Sequence, residues 1–149
     1  MAEPKDPFDL ERFLKAQSET FQQALAEIKR GAKTSHWMWW TFPQVEGLGR
    51  SPTSIRYSIK SIDEARAFLK HPVLGVRLIE MANAVLASNA ATTENIFGHT
   101  DDQKLRSSMT LFETISPSSG SVFSTILDKY YRGKRDPYTL EFLNRMNPK

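Results

Sequence analysis

The sequence contains no cysteine among its 149 residues. This absence excludes disulfides, zinc sites with thiolate ligands, iron–sulfur clusters and cysteine nucleophiles. Only three histidines are present, and no two of them have the helical spacing of a zinc-binding pair. Asp101 and Asp102 lack the alternating pattern of a calcium loop. We therefore expect no metal and no cofactor.

Long apolar runs are also missing. No window approaches the roughly eighteen uncharged apolar residues that a membrane-spanning helix requires. The N-terminal sequence MAEPKDPFDLERF has no apolar segment of the kind found in secretory signals. We expect a cytoplasmic protein that does not contact a membrane.

Alternation of β-branched residues with period two is absent, as are the hairpin dipeptides Asn-Gly and Asp-Gly. Apolar residues recur instead at steps of three and four, which indicates helices. A hydrophobic content of 40% with 25% charged residues is typical of one globular domain. We predict an all-α fold, a single compact orthogonal bundle of about six to seven helices over residues 6–149, preceded by a flexible tail at residues 1–5.

Local signals predict where several helices begin and end. Asp6, followed by proline, is predicted to cap a long first helix that ends at Gly31. Ser61 and Thr100 each have a glutamate or glutamine three residues later, the capping-box pattern, so a helix is predicted to begin at each. The Asp-Pro pair recurs near the C-terminus and predicts the last helix. Residues 116–121, SPSSGS, are predicted to form a turn.

All three tryptophans lie in one short segment, SHWMWWTFPQ, residues 35–44. Aromatic residues would cover most of the circumference of a helix here, so complete burial would require a segment at the centre of the fold. Aromatic faces also stack on bases, sugars and guanidinium groups. We expect Met38 and Phe42 in the core. We expect His36, Trp37 and Gln44 at the wall of a pocket.

The sequence GLGRS, residues 47–51, has features of a phosphate-binding loop. Its glycines would let the backbone approach an anion, and Arg50 would supply positive charge. It lacks the third glycine of a dinucleotide fingerprint and the lysine of a P-loop, and it follows no predicted strand. A structural turn is the favoured interpretation, and a phosphate cradle is the alternative.

The densest polar cluster is HTDDQKLRSSMTLF, residues 99–112. Asp101 and Asp102 lie at a predicted helix start, where negative charge is stabilising. Asp102 is predicted to pair with Arg106, four residues later. The hydroxyl-rich run at residues 107–110 is unusual in the middle of a helix, because these residues are mediocre helix formers. Small hydroxyl side chains there would allow close approach of a neighbouring helix or a ligand.

Five ordered strings in the sequence resemble a known family. They are DPFDLERFLKAQ, SHWMWWTFPQVEGLGRS, HPVLGVRL, IFGHTDDQKLRSSMTLF and DPYTLEFL. They resemble the bacterial family catalogued as domain of unknown function 1810, over residues 6–146. The resemblance implies one mostly helical domain and implies no reaction. Some members carry the label calpastatin, a disordered inhibitor, and the composition of a packed domain speaks against that label here.

The family motif can be carried over residue by residue. It falls on His36, Trp37, Pro43, Gln44, Gly47, Gly49, Arg50, Ser51, His71, Pro72, Arg77, Asp101, Asp102, Lys104, Arg106 and Ser107. One position departs from the pattern, since Pro52 follows the GRS sequence. These are motif positions, and the resemblance assigns none of them a catalytic role.

We predict that segment 35–44, loop 47–51 and helix start 101–107 form one pocket for a small anionic ligand, nucleotides included. Polar strings far apart in sequence all lie at predicted helix ends, where functional loops concentrate. The predicted ligand-binding residues are His36, Trp37, Gln44, Arg50, Ser51, Arg77, Asp102, Lys104, Arg106 and Ser107. His36 and Asp101 are the candidates for an acid or a base, and whether the protein is an enzyme is left open.

Two other functions are compatible with the sequence. A protein-interaction module without catalytic activity would use a partly exposed tryptophan patch as its anchor. Nucleic-acid binding through the cations between Lys29 and Lys60 would predict retention on heparin that falls steeply with salt. The net charge of only +3 gives this third function little support, so we expect no nucleic-acid partner. The oligomeric state cannot be predicted.

Overall fold

The computed structural model describes residues 6–88, 92–116 and 121–146. In these ranges the chain forms nine helices: α1 (Glu11–Arg30), α2 (Met38–Thr41), α3 (Pro52–Arg56), α4 (Ile62–Lys70), α5 (Leu74–Ala87), α6 (Thr93–Phe97), α7 (His99–Ile115), α8 (Val122–Tyr130) and α9 (Pro137–Met146). The extended pairing found there is one isolated parallel bridge between Val45 and Ile59. The prediction of an all-α fold is confirmed, and six of the helices have seven or more residues.

Two sequence predictions fall on residues outside the described ranges. They are the tail at residues 1–5 and most of the turn at residues 116–121, of which 117–120 are not described. Among the described helices, none combines the length and the apolar character needed to cross a membrane.

The start of α1 differs from the prediction. The helix begins at Glu11, because Asp9 has a left-handed backbone with φ of 51° that separates the preceding turn from the helix. Asp6 still satisfies the helix start, since its carboxylate accepts hydrogen bonds from the backbone N–H groups of Leu10 and Glu11 at 2.8 and 2.9 Å. The predicted end is confirmed at Gly31, whose φ of 83° is typical of a helix C-terminal glycine.

Three further helix starts test the capping predictions. Ser61 accepts a hydrogen bond from the backbone N–H of Glu64 at 3.1 Å, and the carboxylate of Asp136 accepts one from the N–H three residues later at 3.0 Å. Both predicted caps are confirmed. The start predicted at Thr100 is wrong, because α7 begins one residue earlier, directly after Gly98. Gly98, with φ of 85°, lets the chain pass from α6 straight into α7.

Helix α7 lies at the centre of the fold and packs against α4, α6, α8 and α9. A row of buried rings connects the helices around it: Phe13 on α1, Phe68 on α4, Phe112 on α7 and Phe123 on α8. Successive ring centroids in this row are 5.0, 5.6 and 5.8 Å apart. Such aromatic pairs contribute about 0.5–1.5 kcal/mol each beyond the burial of their area.

The hydroxyl-rich part of α7 is used for helix packing. Thr110 is buried, donates a hydrogen bond to the carbonyl of Arg106 at 2.8 Å, and accepts one from the backbone N–H of Asp136 at 2.9 Å. The start of α9 is thereby attached to the middle of α7. This contact confirms that a small hydroxyl at this position allows a neighbouring helix to approach closely.

A buried ion pair joins α1 to α4. Arg12 Nη2 lies 2.6 Å from Glu64 Oε2, and both side chains are buried. The remaining N–H groups of Arg12 donate to the carbonyls of Phe8, Asp9, Arg56 and Ser58. All five donors of the guanidinium are therefore used. The pair attaches both the turn before α1 and the chain before α4 to the core.

Candidate ligand-binding site

A cavity of about 430 Å³ lies where three separate segments of the chain meet. It is lined by Lys33, His36, Trp37, Met38, Trp39, Trp40, Ser51, Thr53, Asp101 and Lys104. These residues come from the aromatic segment with the lysine just before it, from the loop leading into α3, and from the first turns of α7. The volume falls in the range of small-molecule sites, about 300–1,000 Å³.

A buried carboxylate holds the start of the aromatic segment. Glu27, on α1, is only 1% exposed. It accepts hydrogen bonds from the backbone N–H groups of Thr34 and Ser35 at 2.9 and 3.1 Å, from Ser35 Oγ at 2.6 Å and from Trp37 Nε1 at 2.8 Å. Burial raises the pKa of Glu27, but these four hydrogen bonds outweigh it and hold the pKa well below its ordinary value. Glu27 is therefore ionised and fixes the backbone at the cavity wall.

The tryptophans differ in burial. Trp37 is 1% exposed and packs edge-on against Phe97, with ring centroids 6.2 Å apart. Trp39 and Trp40 are half-buried, and Trp40 Nε1 donates to Thr20 Oγ1 at 2.9 Å. Met38 and Phe42 are buried, as predicted. The segment thus contributes to the core and to the cavity at once, and hydrogen bonds hold the indole N–H groups of Trp37 and Trp40.

Two lysines and one aspartate form the charged wall of the cavity. Asp101 Oδ2 lies 2.7 Å from Lys33 Nζ, and Asp101 Oδ1 lies 2.8 Å from Lys104 Nζ. Each ammonium group also lies over an indole ring. Lys33 Nζ is 5.0 Å from a ring centroid of Trp37, and Lys104 Nζ is 4.4 Å from one of Trp39. These three charged side chains leave one positive charge in excess. We call them the lysine–aspartate cluster.

The two candidates for an acid or a base both line the cavity, in different environments. Burial raises the pKa of Asp101, but the hydrogen bonds and charges of Lys104 and Lys33 outweigh it and lower the pKa below its ordinary value. Asp101 is therefore ionised at neutral pH and is a weak base. His36 is exposed, and its side chain makes no hydrogen bond to the described residues. This arrangement suits binding better than proton transfer.

Five predicted site residues line the cavity: His36, Trp37, Ser51, Asp101 and Lys104. The structure places Asp102, Arg106 and Ser107 elsewhere on α7. The predicted Asp102–Arg106 pair is wrong, because Asp102 instead accepts hydrogen bonds from the hydroxyls of Thr93 and Tyr131. Arg106 donates to the carbonyls of the residues at 134 and 135, at 2.9 and 2.8 Å.

The remaining predicted residues also lie away from the lining. Ser107 is buried and donates to a carbonyl of its own helix at 3.1 Å. Gln44 is buried, and its amide nitrogen has no hydrogen-bond partner among the described residues. Arg77 lies against α1, with its guanidinium 5.0 Å from the ring centroid of Phe21. Arg50 is exposed. The positive charge at the cavity therefore comes from lysines and not from the predicted arginines.

The glycines of loop 47–51 are explained by packing. Gly47 has φ of 103°, and a Cβ there would lie 1.9 Å from Tyr138 Oη. A Cβ at Gly49 would lie 2.5 Å from the side chain of Ser54. Ser51 caps α3 by accepting the N–H of Ser54 at 3.1 Å, and Pro52 occupies the first position of the helix, where proline fits. These contacts support the structural turn over the phosphate cradle.

Lys33 and Glu27 were not predicted as site residues. Both lie close to Gly31, where the chain reverses after α1. Their position in the sequence could have indicated this role. A glutamate in the last turn of a helix that ends in a left-handed glycine can contact the residues just after the chain reverses. Lys33 is then placed beside α6 by the hydrogen bond from its backbone N–H to the carbonyl of Ile96 at 2.6 Å.

Comparison with known proteins gives a family and a related structure. A family model described as "Protein of unknown function (DUF1810)" matches residues 7–143. The fold is similar to the crystal structure, at 1.38 Å, of the conserved hypothetical protein Rv1873 from Mycobacterium tuberculosis. The two sequences are 45% identical, the match covers 93% of this chain and 98% of that chain, and the TM-score is 0.89. No curated protein matches the chain. The geometry of the cavity is therefore the basis for inferring the function.

Proposed function

We propose that this chain, which belongs to the DUF1810 family of unknown function, binds a small anionic ligand with a ring, nucleotides included. The sequence strings indicated the family, and the site supports the proposed function. One observation carries the proposal. Lys104 Nζ, at the cavity, lies 4.4 Å from the ring centroid of Trp39 and 2.8 Å from Asp101. A cation held beside a half-buried indole places positive charge next to aromatic surface that lines the cavity.

The charges favour an anion. An ammonium group has three N–H donors. Each lysine of the lysine–aspartate cluster has one described contact with Asp101, so donors remain for a ligand. Asp101 neutralises only one of the two lysine charges. The side chain of Lys33 is only 6% exposed, so its charge is poorly screened by solvent.

The indole rings favour a ligand that carries a ring. Trp39 and Trp40 both line the cavity and are half-buried, so parts of both rings are accessible. The hydrogen bond from Trp40 Nε1 to Thr20 fixes the second indole before any ligand binds. A rigid wall of this kind reduces the entropy lost on binding. A volume of about 430 Å³ suits one ring system with one anionic group.

A thermal-shift screen tests the proposal. The panel contains nucleoside monophosphates, dinucleotides and sugar phosphates. A ligand present at about 100 times its Kd stabilises the native state by about 2.7 kcal/mol, which corresponds to a rise in Tm of about 5–10 °C for a domain of this size.

Two variants identify the site of any ligand found in this screen. Lys104→Gln should abolish the shift. Lys129→Gln is the matched control, because Lys129 Nζ lies 5.0 Å from the ring centroid of Tyr130 on α8, away from the cavity lining. No shift across the panel, or an equal shift in Lys104→Gln, would contradict the proposal.

The alternative of a tryptophan interaction patch has less support. The large hydrophobic side chains that are exposed in the described ranges are Ile55, Val73, Val76, Ile79, Tyr138, Leu140 and Met146. No tryptophan is among them. An anchor patch needs its aromatic side chains accessible to a partner, and the indole rings here face a cavity and the core instead.

A further inference from the structure

We propose that Lys33 and Lys104 form an oxyanion site that Asp101 occupies in the free protein, and that the carboxylate or phosphate of the ligand takes the place of the Asp101 side chain. This inference rests on the proposed function and adds how the site is regulated. Asp101 would act as an internal competitor, so that only an anion able to displace it would bind.

The geometry of the two lysines is that of an oxyanion site. They come from different segments, one after the end of α1 and one from α7, and they converge on a single carboxylate. Each contacts a different oxygen, Lys33 at 2.7 Å from Oδ2 and Lys104 at 2.8 Å from Oδ1. A ligand carboxylate or phosphate presents the same pair of neighbouring oxygens to two charged donors.

The lysines are held in place independently of Asp101. Lys33 Nζ lies over the ring of Trp37, and that indole is fixed by its hydrogen bond to Glu27 at 2.8 Å. Lys104 Nζ lies over the ring of Trp39, which packs against the loop at Gly49. Both ammonium groups would therefore keep their positions if the Asp101 carboxylate moved away. A preformed pair of cations binds an anion at a smaller entropic cost.

Among the described side chains, only the two lysines hold Asp101. Its carboxylate contacts no described side chain other than the two lysines. It lies in the first turn of α7, where the unpaired N–H groups of the helix stabilise negative charge. A rotation of the side chain toward solvent would keep this stabilisation. The observed affinity for a ligand is then lowered by the fraction of molecules in which Asp101 fills the site.

Replacing Asp101 by asparagine should therefore increase anion binding. The substitution keeps the size of the side chain, removes the competing charge and leaves both lysines unpaired. We expect the Kd for an anion to fall about tenfold, within the usual range of coupling between two ligands of one protein. A purely structural role for Asp101 predicts the opposite, because the loss of the ion pairs would loosen the cavity wall and weaken binding.

The experiment titrates wild type and variants with inorganic phosphate and, separately, with acetate, at constant ionic strength. Tryptophan fluorescence reports binding, because all three tryptophans line the cavity. The two probes distinguish a phosphate site from a carboxylate site. Asp101→Asn should bind at least one probe about tenfold more tightly than wild type. The gain should disappear in the double variant Asp101→Asn with Lys104→Gln.

Asp128→Asn removes one negative charge from the exposed pair that Asp128 forms with Arg135, and it should leave the Kd unchanged. If Asp101→Asn fails to fold, as judged by circular dichroism, Asp101→Ser replaces it, since serine is accepted at helix starts. Equal or weaker binding by the folded variant would overturn the inference. If wild type binds a nucleotide of the screen while Asp101→Asn shows no gain in anion affinity, the proposed function stands and only this inference fails. If neither protein binds any anion, both the proposed function and this inference fail.

Discussion

Replacing Glu27 by glutamine measures how strongly one buried carboxylate stabilises the segment that carries the tryptophans. The carboxylate accepts five hydrogen bonds: four from residues 34–37, at 2.6–3.1 Å, and one from Gln23 Nε2 at 3.1 Å. Hydrogen bonds to a charged group contribute about 1.5–3 kcal/mol each, but the amide oxygen of glutamine keeps part of them. We expect Glu27→Gln to lower the free energy of unfolding by about 2–3 kcal/mol, and Glu27→Ala by at least about 4 kcal/mol, since it leaves buried donors without a partner.

The effect should depend on pH in a defined direction. The pKa of Glu27 in the folded protein is well below its ordinary value of 4.5. A lowered pKa contributes stability that is fully present above the unfolded pKa and is lost as the pH falls toward the folded pKa. The difference in stability between wild type and Glu27→Gln should therefore be constant near neutral pH and shrink below about pH 4.

Guanidinium unfolding, followed by circular dichroism and by tryptophan fluorescence, measures both quantities. The midpoint should fall with little change in slope, and the Tm should fall by about 4–12 °C. Glu19→Gln, at an exposed position of the same helix, is the control and should change stability by less than about 0.5 kcal/mol. A Glu27→Gln variant as stable as this control at neutral pH, or a deficit that grows in acid, would refute the reasoning.

Two other substitutions test packing elsewhere in the fold. Arg12→Met leaves the buried carboxylate of Glu64 without its partner and should lower the free energy of unfolding, measured by chemical denaturation, by about 3–5 kcal/mol. The double variant with Glu64→Gln should recover part of this loss. A double variant less stable than Arg12→Met would contradict the prediction. Gly47→Ala would place a Cβ 1.9 Å from Tyr138 Oη at a φ of 103°, and should lower stability by about 1–3 kcal/mol. A Gly47→Ala protein with the Tm of wild type would show that the loop has no need of glycine.

Helix content followed from local signals, and the errors arose where tertiary contacts replaced local ones. The cap at Ser61 was predictable because its partner is three residues away on the same helix. Asp102 has an equally good local partner in Arg106, but a tyrosine at the end of α8 and a threonine on α6 take its hydrogen bonds instead. The start at Thr100 failed because Gly98, with its positive φ, lets α7 begin earlier. The spacing of residues in the sequence does not reveal these tertiary partners.

The location of the candidate site was more predictable than its charges. Residues of the aromatic segment and of the first turns of α7 line one cavity, and its role as a ligand site stays a prediction. The predicted cations Arg50, Arg77 and Arg106 do not line the cavity, whereas Lys33 does. Lys33 comes into position through the chain reversal at Gly31 and the backbone hydrogen bond to Ile96. Both depend on how α1 packs against the rest of the chain, which periodicity does not reveal.

Nuclear magnetic resonance of the indole N–H groups tests the central claim most directly, because every tryptophan of the chain lines the cavity. Titration of the wild-type protein with a nucleoside monophosphate should shift the resonances of Trp39 and Trp40 in a saturable way. The same shifts should persist in Lys129→Gln and be lost in Lys104→Gln. Resonances that do not move, or that move equally in Lys104→Gln, would contradict an anion site at the lysine–aspartate cluster.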